Sequence, residues 1–173
     1  MRRLISNQRG MTLAEVMVAL PIITIGLLAL LSVIPLSTYA TQEGSQTSTA
    51  TFLANQRLEQ VRNAQWVATC PPTATPDTLG VSAPSTAAPT SGGTTTFADE
   101  NPIATPYAAY TRQVRITDSV PSTTVCGPTG AITGTYGLRT VTVTVTYRPL
   151  SATGANAVSG SRAVTVNMQI AQR

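Results

Sequence analysis

Histidine and lysine are both missing from this 173-residue chain. Without histidine there is no side chain whose ordinary titration lies near neutral pH, no imidazole for a metal, and no base to activate a serine or cysteine. The seven acidic residues are scattered, so general acid–base chemistry is poorly supplied as well. The expectation is a protein that is not an enzyme and needs no metal and no cofactor. Cysteine is scarce too: Cys70 and Cys126 are the only two, far apart and without metal-ligand company. They stand as one disulfide or as two separate thiols, and export of the chain favours the disulfide.

Charge is thin at 10% of residues, and the formal net value is +4. All eleven basic residues are arginine, and Arg2, Arg3 and Arg9 fall within the first ten positions. The remainder holds eight arginines against seven acids, a balance of +1. Such a balance excludes the broad basic field of a nucleic-acid binder. Basic and aromatic residues interleave only at Tyr107, Tyr110, Arg112 and Arg115, which leaves nucleic acid as a minor alternative among partners.

What the chain does have is a long uncharged run. Val16 to Leu36 contains twenty-one residues without a charge, about 31 Å of helix at 1.5 Å per residue, the thickness of a bilayer core. The run exceeds the apolar stretch of a secretory signal peptide, which is roughly 7–15 residues, although Thr38-Tyr39-Ala40 imitates a cleavage site. A retained membrane helix is expected, with the N-terminal arginines on the cytoplasmic side and everything after about Thr38 exported. Pro21, Gly26 and Pro35 interrupt it, which suits packing among other helices. Glu15 stands at its entrance, and an ionised carboxylate in lipid is costly and marks a function or a partner.

Gly10-Met11-Thr12-Leu13-Ala14-Glu15-Val16, preceded by a short basic leader and followed by the apolar run, resembles the N-terminus of type IV pilins and pseudopilins. The resemblance implies a prepilin peptidase that cuts after Gly10 and methylates the new amine of Met11. It makes Glu15 the assembly residue, pairing with the Met11 amine of a neighbouring subunit. Met11 and Pro21 depart from the family's usual residues, Phe and an aliphatic side chain. Thr51 to Ala64, TFLANQRLEQVRNA, resembles the second half of the long helix in minor pilins and pseudopilins. Implied partners are other pilin subunits, the peptidase, a pilus or secretion assembly platform, and inner-membrane lipid before assembly. The implied location is the bacterial inner membrane, then a pilus at the cell surface or the periplasm.

Beyond the membrane run, Ala50, Leu53, Ala54, Leu58 and Val61 keep helical 3,4 spacing, with Arg57, Glu59, Gln60 and Arg62 on the opposite side. Gly44-Ser45 predicts a loosening of the helix. Residues 71–106 hold seven of the twelve prolines with abundant Thr, Ser, Ala and Gly, a composition that predicts an irregular loop burying little apolar area. Period-two alternation then marks strands at Tyr110–Thr117, Thr140–Tyr147 and Val164–Ile170. Their apolar face needs a lid, and the amphipathic half of the helix supplies one. The expected fold is α+β and pilin-like, a long N-terminal helix packed on a small antiparallel sheet. The expected divisions are a leader at 1–10, a membrane and filament-core helix at 11–37, an amphipathic exported helix at 38–68, and a head at 69–173. Cys70 and Cys126 are placed to staple the loop to the sheet.

Overall fold

The computed structural model describes residues 10–68, 77–127, 131–149 and 160–173. Among these, one long helix, α1 (Leu13–Arg62), precedes seven strands. They are β1 (Thr90–Ser91), β2 (Thr94–Thr95), β3 (Tyr110–Val120), β4 (Val125–Cys126), β5 (Ile132–Thr133), β6 (Leu138–Tyr147) and β7 (Arg162–Ala171). This is the expected α+β layout. The chain divides into two compact units, residues 1–42 and 43–173.

In the first unit α1 buries no described side chain, and the apolar residues from Met11 to Leu36 are exposed except for half-buried Ala19. It is long and apolar enough to cross a membrane. Pro21 and Pro35 both lie inside it. Each is followed three residues later by a threonine whose hydroxyl donates to the carbonyl just before the proline. Thr24 Oγ1 reaches Leu20 O at 2.7 Å, and Thr38 Oγ1 reaches Ile34 O at 2.8 Å. The carbonyls each proline leaves without an N–H are Met17 O and Leu31 O, four residues earlier, so these hydroxyl bonds add to the Leu20 and Ile34 carbonyls and do not replace the lost donors.

In the second unit α1 continues through Gly44, where loosening was expected. Thr47 and Thr49 hydroxyls donate to the carbonyls of Glu43 and Ser45. Glycine lowers helix propensity by only about 1 kcal/mol, and tertiary packing of the residues that follow outweighs it. Ala50, Leu53, Ala54 and Val61 are buried as their spacing predicts. The helix ends at Arg62, where Ala64 N turns back to Val61 O at 3.0 Å.

The three long strands form one antiparallel sheet in the order β3-β6-β7. Register pairs Val114 with Val143 and Ile116 with Val141 across β3 and β6, and Val143 with Val166 across β6 and β7. The alternating face of β6, Val141, Val143, Val145 and Tyr147, is buried in one core with Leu53 and Val61 of the helix. Period-two and 3,4-period patterns meet at this single interface, which is why both were readable.

The loop is irregular, as its composition predicts: residues 71–76 lie outside the described residues, and residues 77–106 hold only the two-residue strands β1 and β2 and bury few apolar side chains, with Leu79 and Pro89 fully buried and Ile103 6% exposed. Their backbone is tied to the sheet: Glu100 and Arg112 exchange N–H to O bonds at 2.9 Å each, and Ser82 N donates to Ile116 O at 2.7 Å. Mean composition is polar, yet a few apolar residues and edge pairings fix the segment. Gly80 is indispensable there, with φ 70° and a hypothetical Cβ 2.8 Å from Thr90 O. Gly80→Ala is expected to cost about 2–3 kcal/mol through left-handed strain plus the clash. Gly92→Ala, at φ 56° with nothing within 4 Å, is expected to cost about 1 kcal/mol. Urea titration of the detergent-solubilised chain, followed by Trp66 fluorescence, distinguishes the two.

Candidate processing and assembly site

Gly10 is exposed, with open space around its Cα. Met11 is 75% exposed, so the Gly10–Met11 bond is accessible. Thr12 is the helix cap. Glu15 N donates to Thr12 Oγ1 at 3.3 Å, while Thr12 N donates back to Glu15 Oε2 at 3.2 Å. The Thr12 hydroxyl also reaches Glu15 Oε2 at 3.4 Å. The first helical backbone bond follows at once, from Val16 N to Thr12 O at 3.3 Å. This reciprocal pair is a capping box, with an acid favoured in the first turn by the helix dipole. It was legible as Thr-x-x-Glu and was missed because Glu15 was weighed only as a membrane charge. Through the cap the carboxylate is folded back onto the amide next to Met11.

Electrostatics set Glu15 apart from every other acid. Six of the seven acids pair with arginine: Glu43 with Arg162, Glu59 with Arg62, Asp77 and Asp118 with Arg139, Asp99 with Arg115, and Glu100 with both Arg57 and Arg112. Glu15 alone has no cationic partner among the described residues.

The paired acids hold the head together. Arg112 sits on the apolar face of β3 at 6% exposure. It donates from Nε and Nη2 to Glu100 Oε2 at 3.1 and 2.7 Å, and from Nη1 to Leu53 O of α1 at 3.0 Å. Arg57, expected on the outer side of the helix, instead turns inward and contacts Glu100 Oε1 at 3.2 Å. Its guanidinium also lies over the Phe97 ring, 5.4 Å from the centroid. Burial lowers the Arg57 pKa, Glu100 raises it and Arg112 lowers it further. Arg139 stacks on Trp66 at 4.1 Å and bridges Asp77 and Asp118. The Arg115 hydrogen bonds hold Asp99 below the ordinary aspartate range, and Asp99 in turn raises Arg115. These contacts join the loop, helix and sheet. Among the described residues no group of three His, Cys, Asp or Glu side chains is placed to hold a metal.

Cys126 lies on β4 and is half-buried, ahead of the central strand as expected. Cys70 falls outside the described residues. The network of arginines and acids was not legible in the sequence because pairing between side chains of different elements leaves no periodic signal. Its one signal was Arg112 interrupting the apolar set Tyr110, Val114 and Ile116.

Comparison with known proteins bears on the N-terminus. Neither a curated protein nor a solved structure matches the chain. Residues 5–31 match the prokaryotic N-terminal methylation motif, the stretch that contains Gly10, Met11, the capping box and most of the apolar run. The motif implies processing by a prepilin peptidase and assembly into pilus-like complexes, and with the apolar helix it fits a membrane-anchored precursor that is later exported. With that motif, one long apolar helix and small antiparallel sheets after it, the chain carries the prepilin-type signature of type IV pilins and pseudopilins.

Proposed function

We propose that this protein is a minor structural subunit of a type IV pilus, cut after Gly10, methylated at Met11, and locked into its filament through Glu15. The observation that carries the reading is that Glu15 has no cationic partner among the described residues, which leave out Arg2, Arg3 and Arg9. Each other acid has an arginine, whereas this one stands capped at the head of an apolar helix, next to the position where cleavage would create an amine. A carboxylate and an amine from adjacent subunits, each costly alone in an apolar core, fix axial register when they meet. The leader holds the precursor with its N-terminus in the cytoplasm, residues 11–37 form the filament core, and residues 38–68 and 69–173 form the exported helix and head. The minor-subunit reading draws support from the Thr51–Ala64 resemblance and from the proline-rich segment fastened across β3.

A pseudopilin of a type II secretion system is the second reading, since the same signature serves both machines. A membrane-tethered binding module that does not polymerise is the third, and it gives Glu15 no cationic partner. Mass spectrometry of protein from the native host decides the processing claim. The expected product lacks residues 1–10 and carries a methyl group on Met11; an intact leader, or cleavage after Ala40, would overturn it. Alkylation with and without reduction, read in the same spectra, is expected to show Cys70 and Cys126 protected until reduction.

A further inference from the structure

The two edges of the main sheet are treated differently. On β3 the outward backbone groups of three residues are occupied: Arg112 by Glu100, Tyr110 O by Ile103 N at 2.9 Å, and Ile116 by Ser82, whose N–H donates to its carbonyl and whose Oγ accepts from its N–H. From Ala163 to Ala171 the outer edge of β7 is bare among the described residues. Gln172 N donates to Gly137 O at 2.9 Å, so the 172/137 pair is a hydrogen-bonded pair of the β6–β7 ladder. Pairs of that kind recur every second residue. Even-numbered residues of β7 therefore bond β6, and Ala163, Thr165, Asn167, Gln169 and Ala171 turn their N–H and C=O groups outward. Arg173 confirms the phase, because its outward N–H and C=O meet Trp66 O at 3.1 Å and Ala68 N at 2.6 Å. No outward group from Ala163 to Ala171 has a partner among the described residues.

Exposed edges are ordinarily blunted by lysine, proline, a bulge or an inward charge. Between Arg162 and Arg173 there is no charge and no proline, and the register irregularity of the sheet lies in β3, between Asp118 and Val120, not in β7. On the core-facing side, Val164, Val166 and Ile170 are only partly buried against the core, leaving an apolar row that another strand would finish covering. On the other side the neighbours are Thr165, Asn167 and Gln169.

We propose that the β7 edge is a strand acceptor, receiving in the assembled complex an extended strand from a different pilin-like subunit. The donated strand alternates apolar with small polar side chains and is uncharged against Ala163–Asn167, where an ion would be desolvated with no counter-charge. At the other end Arg62 and Arg173 line a cleft with Met168, Gln169, Ile170 and Ala171, and an acid there meets a counter-charge. It belongs to a different chain for a symmetry reason. With most of β3 covered, β7 is the only long open edge among the described residues, so the described strands of a second copy could meet it only β7 to β7. That twofold contact closes at two subunits and cannot continue along a polar filament. Main-chain bonds then supply affinity and the alternating pockets supply specificity.

This inference rests on the filament reading, and its test separates the two. Asn167→Pro deletes an outward N–H and no bond to β6, a position where an edge strand accepts proline. Asn167→Ala keeps the N–H. In the native host, Asn167→Pro is expected to reduce the amount recovered in sheared filaments about ten-fold or more, with cleavage after Gly10 and membrane levels unchanged, while Asn167→Ala matches wild type. The pair Thr165→Lys with Gln169→Lys, which retains every backbone donor, is expected to give the same loss should Asn167→Pro disturb folding. Undiminished recovery of both edge variants overturns the acceptor. So does a homodimer cross-linked through a photoreactive residue at 167 when the other subunits are deleted. Absence of wild-type protein from the filaments counts instead against the filament reading itself.

Discussion

Glu15→Ala protein is expected to be cleaved and methylated normally, yet to disappear from filaments. The capping box sharpens this experiment, because the same carboxylate does two separable things. As a cap it accepts from Thr12 N at 3.2 Å, a contribution of about 0.5–2 kcal/mol to the helix start. As a charge in a shared apolar core it would satisfy a neighbour's amine, and removing one member of such a pair costs about 3–5 kcal/mol. Glu15→Gln keeps an acceptor oxygen for Thr12 and discards the charge. Both variants are expected to fall about a hundred-fold in filament recovery, the lower end of that range expressed as a ratio. Quantitative immunoblots of sheared filaments against whole membranes provide the measurement. Recovery of Glu15→Gln at wild-type level, with Glu15→Ala impaired, would reduce Glu15 to a helix cap and remove the register argument.

The parts of this molecule that could be read from the sequence are those governed by periodicity or bulk hydropathy. Val16–Leu36 is apolar on every side, so no partner is needed to recognise it. Val141, Val143, Val145 and Tyr147 alternate cleanly, and Leu53, Ala54 and Val61 follow helical spacing; their meeting surface follows from geometry. The segment 77–106 was legible as irregular, but its anchoring was not. Its composition is that of a loop, but its placement is decided by Leu79, Pro89 and Ile103 and by a handful of backbone bonds to the β3 edge. Composition averages erase such decisions. Ion pairing was hidden for another reason: whether Arg112 meets Glu100 nearby in sequence or Arg139 joins Asp77 from 62 positions away, pairing between different elements leaves no periodic signal. At the N-terminus the information was present in Thr12 and Glu15, and only the local hydrogen-bond chemistry went unread. Pro21, without a reason in the family pattern, gains a local companion in Thr24.

Arg112→Ala is expected to be the most destabilising single change in the head. The guanidinium is 7% exposed at its side chain, fixed by two bonds to Glu100 and one to Leu53 O. It thereby joins β3, the 77–106 segment and α1 at one point. Truncation leaves Glu100 with Arg57 alone, at 3.2 Å, and strips the Leu53 carbonyl of a charged donor. Loss of one partner from a buried pair costs about 3–5 kcal/mol. Because Glu100 keeps Arg57, a loss near 3 kcal/mol is expected for Arg112→Ala. Arg112→Met refills the volume and should recover part of it, since apolar replacements of buried ions avoid the cavity. Glu100→Gln in the Arg112→Met background should cost less than in the wild type but not nothing, because Arg57, at 3.2 Å, then loses its counter-charge. The sole tryptophan, Trp66, reports unfolding of the detergent-solubilised chain in urea. Limited proteolysis adds a positional check, with new cleavage expected near residues 97–103 before the sheet is lost. Equal stability of Arg112→Ala and wild type would show that the segment is held by Leu79, Pro89 and Ile103 alone, and that its arginines are incidental to its packing.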